Sequence, residues 1–266
     1  MTTGFYVDSG DAGNFEVLSA PADFFVEVVK GNIPGHSVFR VPGSNPFIAQ
    51  GAPEDLWQGG GTFIYPTAGE QWEVLSDDSN DTALGTGARE ITISFLDVNY
   101  DEQFEVIALN GTTPVLLTAT DAFRTVTAII TGAGNTAGNL GGAIGTITVQ
   151  VAGGGNLRHQ IDIGDNRSFN SHRTVPNGKT AWLIYWLATT PKDQNIFYKF
   201  FSTQGQSGIF ISSLFINVYQ TDASFNPEAM VGPFVERSDI KVTGDATNND
   251  ASAGAMYQLL VVDNSP

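Results

Sequence analysis

The sequence predicts an all-β protein: an antiparallel β-sandwich of two packed jelly-roll-like lobes. Three observations lead there. Short runs of β-branched and aromatic residues recur along the chain, Gly, Asn, Asp, Thr or Pro clusters separate them, and no segment carries a convincing amphipathic-helix period.

In chain order, residues 24–29 (FFVEVV) form the first expected strand, stopped by the turn-rich 31–35 (GNIPG). Residues 47–58 are expected to hold one helical turn, with Pro53, Glu54 and Asp55 ahead of Leu56 and Trp57. Strands follow at 62–65 and 71–75, then at 89–96, where Ile91, Ile93 and Phe95 share one face at period two. Strands 104–109 and 115–118 flank Asn110-Gly111, a tight-turn dipeptide. Strands 123–130 and 144–151 enclose a Gly/Asn-rich connection over 132–142, and 157–163 alternates again. A turn at 175–179 feeds the long apolar strand 180–187, and 196–201 and 209–219 are long strands too. Strands 239–243 and 256–262 close the pattern around a polar loop at 244–254. About fifteen strands exceed the seven to nine of a single sandwich, so two lobes are expected, over residues 1–164 and 165–266. No Pro/Ser linker marks the break at 164–167, so the lobes are expected to pack together. No fixed-period repeat suggests a solenoid or propeller.

Composition narrows the chemistry. The chain has 266 residues, 30 Gly and no Cys, with 12 Lys+Arg against 28 Asp+Glu for a net charge of −16. The absence of cysteine excludes disulfides, Cys-ligated zinc, iron–sulfur clusters and thiol catalysis. The acidic balance argues against sequence-independent binding to nucleic acid. Residues 1–8 lack the basic and apolar regions of a cleaved signal, and no apolar run is long enough to span a bilayer. Work outside a cell is therefore expected only as part of a larger particle, with no membrane partner.

No motif supplies a catalytic centre, and no cofactor is expected. His36, His159 and His172 are isolated from one another, and the G-x-S-x-G elbow and H-E-x-x-H are absent. The triplets 59–61 and 153–155 (GGG) lack the Lys-Ser/Thr of a phosphate loop and suit turns or close backbone approach. Asp77, Asp78 and Asp81, or Asp97 with Asp101, have the hard oxygens that Ca²⁺ takes, but Asp and Asn are also ordinary turn residues and the spacing is not that of an EF-hand. Trp57, Trp72, Trp182 and Trp186 invite comparison with a sugar-stacking platform. Trp182 and Trp186, four apart on one strand, are expected on the same face, with Tyr185 and Leu187 opposite. Burial on both sides favours core or subunit-interface packing, and the interface candidates are Trp182, Trp186, Phe197, Phe201, Phe210 and Phe215. Arg158, Arg167 and Arg173 suit interface salt bridges or an acidic neighbour better than a nucleic-acid groove.

Several islands stand out: residues 76–93 (SDDSNDTALGTGAREITI), Leu96-Asp97, 109–112 (LNGT), 174–181 (TVPNGKTA), 236–240 (ERSDI) and 260–264 (LVVDN). Together they resemble virion structural proteins of marine tailed bacteriophages, including cyanophages. In order and spacing they cover about residues 55–266. The resemblance implies a non-enzymatic, multi-copy particle component, assembled in the host cytoplasm from copies of itself (a trimer or higher) and other virion proteins. An accessory or decorating role on the head is the first expectation, with a double-jelly-roll capsid protein as a variant. The alternatives are a tail or fibre-associated protein recognising host glycans through exposed aromatics, and a polysaccharide-degrading enzyme with two carboxylates in a cleft. A cysteine-free sandwich suits folding in a reducing cytoplasm.

Overall fold

The computed structural model describes residues 21–134, 142–191, 194–219, 222–225, 230–247 and 251–264. Residues 1–8, most of the 132–142 connection and part of the 244–254 loop lie outside them. A helix, α1 (Pro21–Val29), comes first. The strands that follow are β1 (His36–Ile48), β2 (Glu54–Asp55), β3 (Trp72–Ser76), β4 (Ala88–Asp97), β5 (Glu102–Ala108), β6 (Val115–Leu116), β7 (Ala122–Ala133), β8 (Ile147–Val151) and β9 (Leu157–Ile161). Then come β10 (Arg173–Thr174), β11 (Lys179–Thr189), β12 (Asn195–Ser202), β13 (Ile211–Tyr219), β14 (Asp222–Phe225), β15 (Val231–Phe234), β16 (Asp239–Ala246) and β17 (Ala251–Asp263).

The all-β expectation holds, with antiparallel pairing in every named ladder. Two sheets, β1-β17-β11-β14 (with β15 also on β11) and β10-β16-β12-β13 (with β2 also on β16), enclose one core. Trp186, Leu183 and Tyr257 face Tyr198, Phe200 and Val242 across it, and the Phe200 ring lies 5.3 Å from Tyr257 and 6.0 Å from Trp186. If β2 with β10, and β14 with β15, are each taken as one position, the order is 1-8-3-6 over 2-7-4-5. Consecutive strands then cross between sheets as in a jelly roll, except the hairpin pair at positions 4 and 5 (β12 and β13). The remaining sheets, β6-β3-β8-β9 and β5-β4-β7, enclose a second core in which Trp72, Val149 and Ile161 meet Ile91, Ile93 and Phe95. This second sandwich is inserted between β2 and β10. Strand pairing therefore puts residues 36–56 with the C-terminal core: β1 runs along β17 from His36↔Val262 to Ile48↔Ala251, and Leu56 is buried in the same cluster.

Four local expectations are corrected. Residues 24–29 are helical, not a strand. Pro21 fixes φ in the first turn, Val28 is the buried apolar contact, and Gly31 (φ +78°) stops the helix with its N–H on Val28 O at 2.9 Å. Residues 47–58 contain no helical turn; β2 lies there, with Thr243↔Asp55 and Gly244↔Glu54 in register. Residues 62–65 join no ladder. Their backbone is held instead by Asp55 Oδ2, which accepts from Phe63 N at 2.7 Å, and by Arg158, which donates to Ile64 O at 2.9 Å. Asn110-Gly111 does not close a hairpin, because β5 pairs with β4 and β6 with β3. The dipeptide carries the chain from one sheet to the other, Gly111 at φ +59° donating to Asp81 O at 2.8 Å.

The two sandwiches meet at a buried polar joint. From the inserted lobe, Arg124 on β7 pairs with Asp239 on β16 (Nε–Oδ1 3.0 Å) and donates to Pro66 O at 2.9 Å. Arg158 on β9 binds both oxygens of Glu70 at 2.8 Å. Asp55 receives Lys241 Nζ at 2.7 Å and His172 Nε2 at 3.4 Å, beside the stacked rings of His172 and Phe63. Close approach here depends on Gly43 of β1, where a Cβ would sit 2.6 Å from both Leu56 O and Ser171 Cβ. Burial pushes the Asp55 carboxyl up, but His172 and Lys241 together pull it further down, to about 2. A depressed folded-state value means stability that is present above the unfolded-state value of 3.8 and lost as pH falls toward 2. On the order of 2 kcal/mol of unfolding free energy should disappear across that window, and Asp55→Asn should flatten it. Urea unfolding of both proteins at several pH values checks this; equal pH slopes would refute it.

Candidate subunit interface

The structure separates the six expected interface residues. Trp186 lies fully in the core and Trp182 is half-buried on the other face of β11. A β-bulge is responsible: Leu183 pairs with Leu259 and Tyr185 with Gln258, so Ile184 is an extra residue that inverts the alternation. Ala181 and Leu183 therefore face inward with Trp186 and Ala188, and the expectation that Trp182 and Trp186 share a face is corrected. Phe210 belongs to the joint, its ring 5.4 Å from Tyr65 and 4.8 Å below Lys241 Nζ.

Phe197, Phe201 and Phe215 come together on the outer face of β12 and β13. In β12, Ile196, Tyr198, Phe200 and Ser202 are buried, so Phe197, Lys199 and Phe201 point outward. Phe215 sits opposite Lys199 and is 70% exposed, with its ring 5.6 Å from Phe197. Tyr219, opposite Asn195, extends this apolar surface at 61% exposure; Ile209 and Ile211, at 69% and 53%, are exposed at the start of β13, with Ile211 opposite Ser202 on the other face. Sequence reasoning missed those three. The signal was present in residues 211–219 (ISSLFINVY), which are apolar at both parities, so a strand with one face in the core must expose the other set.

β13 is also an edge strand, laddered to β12 alone among the described residues. It carries no charge and no proline. Edge strands normally use such residues to discourage pairing with another chain. This nine-residue strand presents an aromatic face without them.

The other candidate groups have local roles. Asp81 is fully buried and accepts from Ser76 Oγ (2.7 Å), Ala88 N (2.7 Å), Gly145 N (2.8 Å) and Ile144 N (3.1 Å). Asp77 accepts from Thr146 N and Asp78 from Asn80 N, both at 2.7 Å. Asp97 accepts from Asn99 N, Asp101 N and Gln103 Nε2. These carboxylates thus tie loops to N–H donors, and no group of three or more His, Asp and Glu side chains converges among the described residues. In the 153–155 triplet, Gly153 and Gly154 adopt positive φ and donate to Glu73 at 3.0 Å, which makes it a turn. His159 is buried against Ser168, and burial above all, with nearby His172 and Arg158, pushes it down to about 3, so it is neutral. Arg158 and Arg173 form internal pairs with Glu70 and Glu102, while Arg167 has no ion pair among the described residues.

No protein family matches the chain, and no curated protein matches it in sequence. Among solved structures, it is similar to one of the infectious bursal disease virus Gt strain at 10% identity and TM-score 0.21, covering 90% of this chain and 76% of that one. It is also similar to the VP2 subviral particle of infectious bursal disease virus at 12% identity and TM-score 0.19, covering 90% and 77%. Scores this low support no inference about the chain.

The Asp81 geometry gives a direct expectation. Asp81→Ala leaves buried N–H donors unsatisfied and should cost about 3 kcal/mol in urea unfolding. Adding Ca²⁺ should leave the wild-type midpoint unchanged; a calcium-dependent rise would mean that the loop carboxylates act as ligands.

Proposed function

We propose that the protein is a non-enzymatic structural subunit of a virus particle, present in many copies and joined through the β12–β13 face. The observation that carries this reading is the uncharged, proline-free edge strand Ile211–Tyr219 with its aromatic outer face. A second copy can extend the β10-β16-β12-β13 sheet and cover Phe197 and Phe215 at once. Two further observations agree. Jelly-roll sandwiches recur in virus shells, although the same fold serves lectins and enzymes, so this is support by analogy. The resemblance of residues 76–93 and 174–181 to phage virion proteins is independent of the fold. Within that reading, a decorating or accessory position on a bacteriophage head is the finer proposal.

The glycan-binding tail reading needs exposed Trp or Tyr side chains at one end. Trp57, Trp72 and Trp186 are buried and Trp182 is half-buried, which counts against it, while Tyr219 at 61% exposure is the aromatic that reading would use. Mass determination in solution tests the interface: the wild-type chain should associate, and Phe215→Lys should weaken association about a hundredfold without lowering the unfolding midpoint. A wild-type chain that stays monomeric, or a variant that assembles equally well, would sink the proposed interface. Copy counting in purified particles tests the location: hundreds of copies support a shell component, whereas six or twelve point to the tail.

A further inference from the structure

A cleft opens between the two sandwiches, lined from β1 and β10 on one side and from β4, β5 and β7 on the other. It has a volume of about 330 Å³, within the lower range of small-molecule sites, and suits a ligand of roughly one ring. Three of the 12 basic residues line it: Arg40 from β1, Arg173 from β10, and Arg167 from the segment that returns from the inserted lobe. One carboxylate, Glu102, faces them, and it is already shared between Arg173 and Lys179, each at 3.1 Å. Arg40 and Arg167 have no ion pair among the described residues.

Unused donors mark the same walls. Asn170 is 5% exposed, and its Oδ1 is committed to His172, accepting from the backbone N–H at 2.9 Å and contacting the ring Nδ1. Its Nδ2 is buried and has no hydrogen-bond partner. Arg167 Nε and Thr127 Oγ1 are likewise buried without partners, and all three residues line the cleft. Buried polar groups are rarely left unpaired in a native fold. The backbone around them is pinned: Arg167 bridges to Ile129, Ile130 N donates to Asn166 O at 2.9 Å, and Asn170 bridges to Trp57. The donors are therefore held in place before any ligand arrives. Beside the polar Ser94, Gln103 and Ser168, the wall carries an apolar stretch of Phe39, Val126 and Phe104, and the Arg173 guanidinium stacks 4.5 Å over the Phe39 ring.

We infer that this cleft binds a small organic carboxylate, with the acid group on Arg167, Asn170 and Arg40 and a ring or apolar body against Phe39 and Phe104. A bare oxyanion would satisfy the donors but leave the apolar wall wet; a neutral ring would do the reverse. This is independent of self-association and is best measured on dilute protein.

Calorimetric titration with benzoate, inorganic phosphate and benzylamine separates these cases. Benzoate should bind at least about tenfold more tightly than either of the others. Arg167→Gln should weaken benzoate about tenfold, the effect of losing one charge-assisted hydrogen bond, while Lys30→Gln in the turn after α1 should change nothing. Arg40→Gln, at an exposed position, gives a second reading if Arg167→Gln disturbs folding. No heat with millimolar benzoate, equal binding of benzylamine, tighter binding of phosphate, or arginine variants that bind benzoate like wild type would each overturn the assignment.

Discussion

Charge cannot be buried without a partner, and at the joint between the two sandwiches the partners come from different parts of the chain. Arg124 belongs to the inserted lobe and Asp239 to the jelly roll, so their charges pair only when the lobes dock in one arrangement. Breaking such a pair from one side costs about 3–5 kcal/mol, although a completed pair adds little net stability over apolar packing. Its contribution is therefore to position. Asp55 extends the constraint along the connecting chain: it holds Lys241 of β16 and His172, and also the Phe63 backbone that leads into the insertion. The exit and return paths of the insertion are thus tied to the same carboxylate.

That geometry explains which elements were legible in the sequence. Strand β4 was readable because Ile91, Ile93 and Phe95 alternate with polar residues and all three enter a core. β12 and β13 were readable for similar reasons. The helix at Pro21–Val29 was not, because Val26, Val28 and Val29 favour strands locally while the Pro21 start and the Gly31 stop favour a helix. Phe63 and Tyr65 resemble strand residues, but they bury rings in the joint, and side chains rather than a ladder hold their backbone. The Ile184 bulge left no mark in the sequence, and it alone decides that Trp182 and Trp186 face opposite ways. The pairing of β1 with β17 lies more than 200 residues apart in the chain, beyond any local pattern.

Charge distribution links the joint to the outside. Half of the 12 basic residues (Arg40, Arg124, Arg158, Arg167, Arg173 and Lys241) are engaged at the joint or the cleft. Asp55, Glu73, Asp81, Asp97 and Asp239 are buried as well, so the outer surface keeps a strong net negative charge. Like-charged copies repel over a Debye length of about 8 Å at physiological salt, whereas edge pairing and ring packing act only at contact. Such a balance keeps subunits apart until they are held in register, and it makes Phe215 and its neighbours decisive only at short range.

The central position of β17 also governs the order in which the molecule can be built on a ribosome. β17 lies between β1 and β11, so the sheet containing both stays open until Ala251–Asp263 has been synthesised. The inserted sandwich is complete at Ile161, about a hundred residues earlier. At translation speeds of about 5–20 residues per second, the inner lobe has roughly 5–20 s to fold before the outer one can close. During that interval β1 waits as a solitary strand, and a finished lobe occupies the middle of an unfinished one. A long-range closure of this kind is slow by topology, so β17, the last of these strands to leave the ribosome, completes the fold.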